Sequence, residues 1–150
     1  MLGTDGCKLT GFDVSQTAIK KAKEVFPDFN FKVIDVTESH KTFKAKLVKE
    51  QNITKHRTLT AIRGFFWYVF PHIDNVIRNI SYLVDKEQYL LVSQNFPPLG
   101  TEFIGKDVIP NPDKLLEFFT PNFMPVVTNW QENKHSKENN NWLTALMVRM

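Results

Sequence analysis

Three things are scarce in this sequence, and each scarcity removes a class of function. Cysteine occurs once, as Cys7, among 150 residues. A single thiol closes no internal disulfide and builds no cysteine-rich zinc site, and it suits a reducing compartment. Long apolar runs are also missing. The longest, Phe65 to Phe70, is far below the ~20 residues that cross a bilayer. With a small, polar start at Met1 to Gly6, this predicts an untargeted, cytoplasmic protein with no membrane partner. Glycine is the third: Gly3 and Gly6 have no strand before them and no helix after them, so no glycine-rich nucleotide-binding loop is assigned. That counts against a nicotinamide-dependent Rossmann enzyme.

Charge excludes less. The net charge of +3 and the pI near 9.0 come largely from one stretch, Lys41, Lys44, Lys46, Lys49, Lys55 and Arg57, opposed only by Glu50. No aromatic residue is regularly interleaved with these cations, so a solvated lysine face is favoured and nucleic acid is not expected as a partner. His40, His56 and His135 show no metal-ligand spacing, and no metal site is predicted. The glycosylation patterns at Asn52 and Asn79 carry no weight without a secretion signal.

What is present is enough for one core. At 42% hydrophobic and 23% charged content, residues 1–150 read as a single domain. Lys8 to Phe12 alternates weakly and stops on Asp13, after which Ser15 can cap a helix whose apolar residues Ala18, Ile19, Ala22, Val25 and Phe26 share one face up to Pro27. Phe29 to Val36 alternates as a second strand with Asp35 near its end. A short helix is suggested around Phe43 to Lys49. "TLTAIRGFFWYVF", Thr58 to Phe70, starts as a β-rich run that Gly64 breaks, turning aromatic side chains outward. Ile73, Val76, Ile77, Ile80, Leu83 and Val84 give a strong helical stripe. "EQYLLVSQNF", Glu87 to Phe96, reads as a buried strand, and Asn111-Pro112 starts a helix carrying Leu115, Leu116, Phe118 and Phe119. Two strands near Met124–Gln131 and Trp142–Arg149 close the chain around the polar loop "ENKHSKENNN". Alternation of this kind predicts an α/β, three-layer, Rossmann-like fold, mostly parallel with a C-terminal antiparallel hairpin.

In that order, the segments resemble the downstream part of a class I S-adenosylmethionine-dependent methyltransferase, from residue 8 to residue 149. "GFDVSQTAIKKAKE" is similar to the family's second strand and following helix, and "FKVIDVTE" to its third strand. "IRGFFWYVFPHIDNVIRNISYLV" is similar to the fourth strand, the loop over the methyl group and the next helix, and "EQYLLVSQNF" to the fifth strand. The resemblance implies S-adenosylmethionine as cofactor and methyl transfer to a small-molecule acceptor. It places Asp13, with Val14 beside it, on the two ribose hydroxyls, and Asp35 and Val36 at the adenine. Arg63 joins the cofactor group, its charge also suited to an acidic substrate group. Trp67, Tyr68, Gln94 and Asn95 fall where the family's acceptor pocket forms, and His72 is the candidate general base.

The family's central first strand and its glycine-rich loop have no counterpart before Lys8, so the chain is expected to be N-terminally truncated. Loss of that strand would bare the edges of its two neighbours, and those edges are expected to pair directly or to be filled by another chain, as in a homo-oligomer. The alternative function is a degenerate or truncated methyltransferase-like domain that serves as a non-catalytic binding module.

Overall fold

The computed structural model describes residues 8–48, 58–98, 100–132 and 141–150. Lys49, Lys55 and Arg57, and most of the polar hairpin loop, lie outside the described residues. The elements run β1 (Thr10–Asp13), α1 (Gln16–Val25), β2 (Asn30–Val33), α2 (His40–Val48), β3 (Leu59–Arg63), α3 (Phe66–Val69), α4 (Ile73–Leu83), β4 (Tyr89–Phe96), α5 (Pro112–Phe119), β5 (Phe123–Gln131) and β6 (Asn141–Arg149). A 3-10 turn over Phe70–His72 joins α3 to α4.

Local chemistry explains the helix starts. The Ser15 hydroxyl accepts the Ala18 N–H at 3.2 Å and caps α1, and the Asn111 side chain accepts the Lys114 N–H at 2.8 Å ahead of Pro112 in α5. Each satisfies one N–H that a first helical turn leaves unpaired. In β1, Gly11 admits the Phe31 ring of the neighbouring strand, which would lie 2.6 Å from an added Cβ.

The strands form two sheets. β1 and β2 pair in parallel with Asp13 opposite Val33, and the larger sheet has the order β3-β4-β6-β5. Within it β3 and β4 are parallel, whereas β4–β6 and β5–β6 are antiparallel. Parallel pairing where a helix returns the chain and an antiparallel C-terminal hairpin agree with the expected Rossmann-like α/β class. Direct pairing of the two bare edges does not occur. Among the described residues β1 pairs only with β2, and β3 only with β4. The units are joined instead by side chains: Val36, just beyond β2, packs both on the main core and on the cluster of Ile34, Phe43 and Leu47.

The main core lies on one face of the larger sheet. β4 and β6 alternate strictly along their length, sending Leu90, Val92 and Phe96, and Leu143, Ala145 and Met147, into it. Helix α4 covers this face with Ile73, Val76, Ile77 and Ile80, and α5 with Leu115 and Phe119. The other face follows from the same register in rows across four strands. Leu59, Tyr89, Val148 and Met124 form one row and Ala61, Leu91, Leu146 and Val127 the next. Leu59, Met124 and Val127 are each more than half exposed there, at 59%, 53% and 58%. The following row, Arg63, Ser93, Thr144 and Asn129, is polar.

Two local expectations change. β2 ends at Val33, before Val36, because the chain turns at Asp35. The aromatic run after Gly64 is a helix and a 3-10 turn, not an outward-facing loop. Phe66 is fully buried and Val69 nearly so, and of the run Tyr68 alone stands out, at 84% exposure. Gly64 makes the reversal possible. Its φ of +59° is a left-handed conformation that a Cβ disfavours, and its N–H still completes the ladder to the Ser93 carbonyl at 2.9 Å.

Urea denaturation checks these roles. Phe66→Ala should lose about 3–5 kcal/mol by leaving a cavity in the core, whereas Tyr68→Ala, two residues away, should stay within about 0.5 kcal/mol of the parent. Gly64→Ala should cost about 1–2 kcal/mol through the backbone alone, since nothing stands within 4 Å of the added methyl.

Candidate functional site

The sequence-predicted residues gather at the carboxyl ends of the parallel strands, in two groups. Asp13 closes β1. Its Oδ1 accepts the Ser15 N–H at 2.7 Å, and Ser15 in turn caps α1. The acid therefore makes the strand-to-helix turn with one oxygen, while Oδ2 bonds to no described residue and the side chain is exposed. Val14 follows, 64% exposed. Asp35 repeats the arrangement after β2. Its Oδ1 accepts the Thr37 N–H at 2.8 Å and the Thr37 hydroxyl at 2.7 Å, and its Oδ2 is again without a described partner. Because β1 and β2 run parallel and in register, both acids lie at the same end of one strand pair.

The second group surrounds the ends of β3 and β4. Arg63 closes β3 and holds its guanidinium 5.3 Å from the Trp142 ring centroid, a cation–π contact across the polar end of the exposed sheet face. Gln94 is fully buried. Its Oε1 accepts the Phe66 N–H at 3.1 Å, and its Nε2 donates to the Asn95 carbonyl and side-chain oxygens at 3.0 and 3.1 Å. Trp67 donates its indole N–H to the same Asn95 carbonyl at 2.8 Å, with its ring edge-on to Phe96 and Phe103 at 5.2 Å. These bonds tether α3 to the end of β4. Gln94 is a fully buried amide whose donor and acceptor are both engaged inside the protein, which makes it a strut, and Trp67 shares that work. Tyr68 and His72 face outward, and Asn95 is half-buried.

Two surface concavities are formed by other residues. One, of about 490 Å³, includes Ile19, Phe31 and Ile34, and the other, of about 700 Å³, includes Arg78, Ser81, Phe118 and Arg149. Neither contains a predicted site residue. Among the described residues no group of three His, Cys, Asp or Glu side chains could hold a metal, and no helix is long and apolar enough to cross a membrane.

Sequence reasoning passed over Asn75 and Asn79 on α4. The Asn75 amide donates to the Thr37 carbonyl at 3.2 Å, and Asn79, fully buried, donates to the Val36 and Glu38 carbonyls at 2.9 Å each. Their four-residue spacing puts both on one helical face, but their partners are distant main-chain carbonyls. Phe103, in the connection between β4 and α5, packs on Trp67.

No protein-family model matches the sequence, and no curated protein does. Solved structures do. An S-adenosylmethionine-dependent methyltransferase from Methanosarcina mazei superposes with a TM-score of 0.66 at 12% identity, over 98% of this chain and 84% of that one. The N-methyltransferase NodS from Bradyrhizobium japonicum, also solved with S-adenosylhomocysteine, gives 0.65 at 13% identity over 95% of this chain. In the two NodS structures the match covers 73% and 66% of the NodS chain. A third, from Anabaena variabilis, gives 0.64 at 14% identity over 95% of this chain and 68% of that one. At such identities a likeness speaks to architecture, and the architecture is plain: this chain has the fold of the class I S-adenosylmethionine-dependent methyltransferases.

Proposed function

We propose that the chain binds S-adenosylmethionine at the carboxyl ends of β1 and β2 and presents it to a small-molecule acceptor beside β3 and α3, in the cytoplasm. One observation carries this reading: an acid at the end of β1 and another two residues past the end of the parallel β2 each keep one carboxylate oxygen unbonded to any described residue. In open α/β sheets ligands lie beyond the carboxyl ends of the strands. A carboxylate there accepts hydroxyl or amine hydrogens without needing a proton of its own.

The residues suit the cofactor. Asp13, exposed and already fixed by its turn, would accept from the ribose hydroxyls with Val14 alongside. The unbonded oxygen of Asp35 would take the exocyclic amine, with Val36 against the adenine. When bound, the cofactor supplies an electrophilic methyl on a sulfonium. The chain's own part is binding, orientation and removal of water. Arg63 would stand between cofactor and acceptor, already turned over Trp142. Tyr68 and the half-buried ring of Trp67 would wall the acceptor, and Asn95 would orient it. His72, exposed and without a hydrogen-bond partner among the described residues, would take a proton from an acceptor hydroxyl or amine as general base. The unpaired edges of β1 and β3 are where another copy of the chain would add strands.

Calorimetric titration with S-adenosylhomocysteine tests this. The parent chain should bind, and Asp13→Ala should weaken binding by roughly 10- to 100-fold, as loss of hydrogen bonds to a charged group does. His72→Ala, removing a group that serves the acceptor, should leave the affinity within about twofold. A parent chain that gives no binding heat, with Asp13→Ala indistinguishable from it, would hand the fold to the non-catalytic binding role.

A further inference from the structure

We propose that Asn79, on α4, is a positioning residue that sets Asp35 for the adenine side of the cofactor. This rests on the cofactor reading above. Asn79 is fully buried and spends both amide hydrogens on the loop after β2, at the Val36 and Glu38 carbonyls, 2.9 Å each. Asn75, one turn earlier, donates to the Thr37 carbonyl between them at 3.2 Å. Three consecutive carbonyls of the loop thus point at one face of one helix.

The path from Asn79 to Asp35 passes through a single peptide plane. The Val36 carbonyl and the Thr37 N–H belong to the same planar trans unit, so the two groups point in opposite directions. The carbonyl accepts from Asn79 at 2.9 Å, and the N–H therefore points away, at Asp35 Oδ1, 2.8 Å distant. The Thr37 hydroxyl joins it on the same oxygen at 2.7 Å. Rotating that plane would swing the carboxylate, and with it the unbonded Oδ2. The amide itself has one orientation. Flipping it would set its oxygen against two carbonyl oxygens, so the oxygen must face His40, whose Nδ1 lies 2.8 Å away and carries the hydrogen. His40 begins α2, and the clamp consequently holds both ends of the Val36–Ser39 turn.

A double-mutant cycle on S-adenosylhomocysteine affinity, read by calorimetry with thermal melting as the check on folding, tests the assignment. Asn79→Leu fills the site but donates nothing. It should weaken binding about tenfold in the parent and by no more than about twofold in an Asp35→Ala background, the signature of two residues acting as one unit. If Asn79→Leu does not fold, Asn79→Asp, which keeps the size and removes both donors, runs the same cycle. Equal losses in both backgrounds, or no loss in the parent while Asp35→Ala is impaired, would overturn the inference and leave the cofactor reading standing. A parent chain that does not bind the ligand would overturn both.

Discussion

Because α4 lies between the larger sheet and the β1–β2 unit, its packing decides how the two parts of the molecule meet. One face buries Ile73, Val76, Ile77 and Ile80 against β4 and β6, a burial that contributes about 1.5–3 kcal/mol per side chain. The adjoining face carries Asn75 and Asn79 to the main chain after β2. No backbone ladder joins the two sheets among the described residues. A helix rigidly seated by its apolar stripe thus does what a shared ladder does in a continuous sheet.

At the strand ends, a turn-making role leaves room for the proposed binding role. An aspartate that makes a turn is commonly read as explained, and one that faces a ligand as functional. Asp13 and Asp35 each divide the work between their two oxygens: Oδ1 shapes the turn and Oδ2 remains available. The turn bond also fixes the side-chain rotamer before any ligand arrives, which lowers the ordering cost of binding. Around α3 the division runs between residues instead. Gln94 and Trp67 hold the short helix to β4 so that Tyr68 can face outward.

Much of the fold was legible because its signals are local. Capping by Ser15 and Asn111, the stripe of α4 and the existence of β4 and β6 follow from short-range pattern, and each is found where the sequence puts it. The Phe66–Val69 helix was not legible, because Phe, Trp, Tyr and Val all favour strands and only tertiary burial of Phe66 and Val69 decides otherwise. The strut made by Gln94 was hidden for a related reason. A polar residue at a strand end looks available until the fold brings an unpaired N–H to it. Of the site, the two acids could be placed from strand endings alone. Asn79 could not, since its partners are main-chain carbonyls some forty positions away in the chain, which no side-chain pattern records.

The ordering of rows on the open face of the larger sheet has a consequence for how this chain behaves among other molecules. Its apolar rows lie toward the starts of β3 and β4 and its polar row toward their ends. Water held against the apolar rows costs about 25 cal/mol for each Å² left uncovered. At the other end Arg63, Ser93, Thr144 and Asn129 present directional groups that water satisfies. The face thus grades from apolar to polar along its strands, and its well-hydrated end is the one that adjoins the strand termini where the proposed ligands would lie.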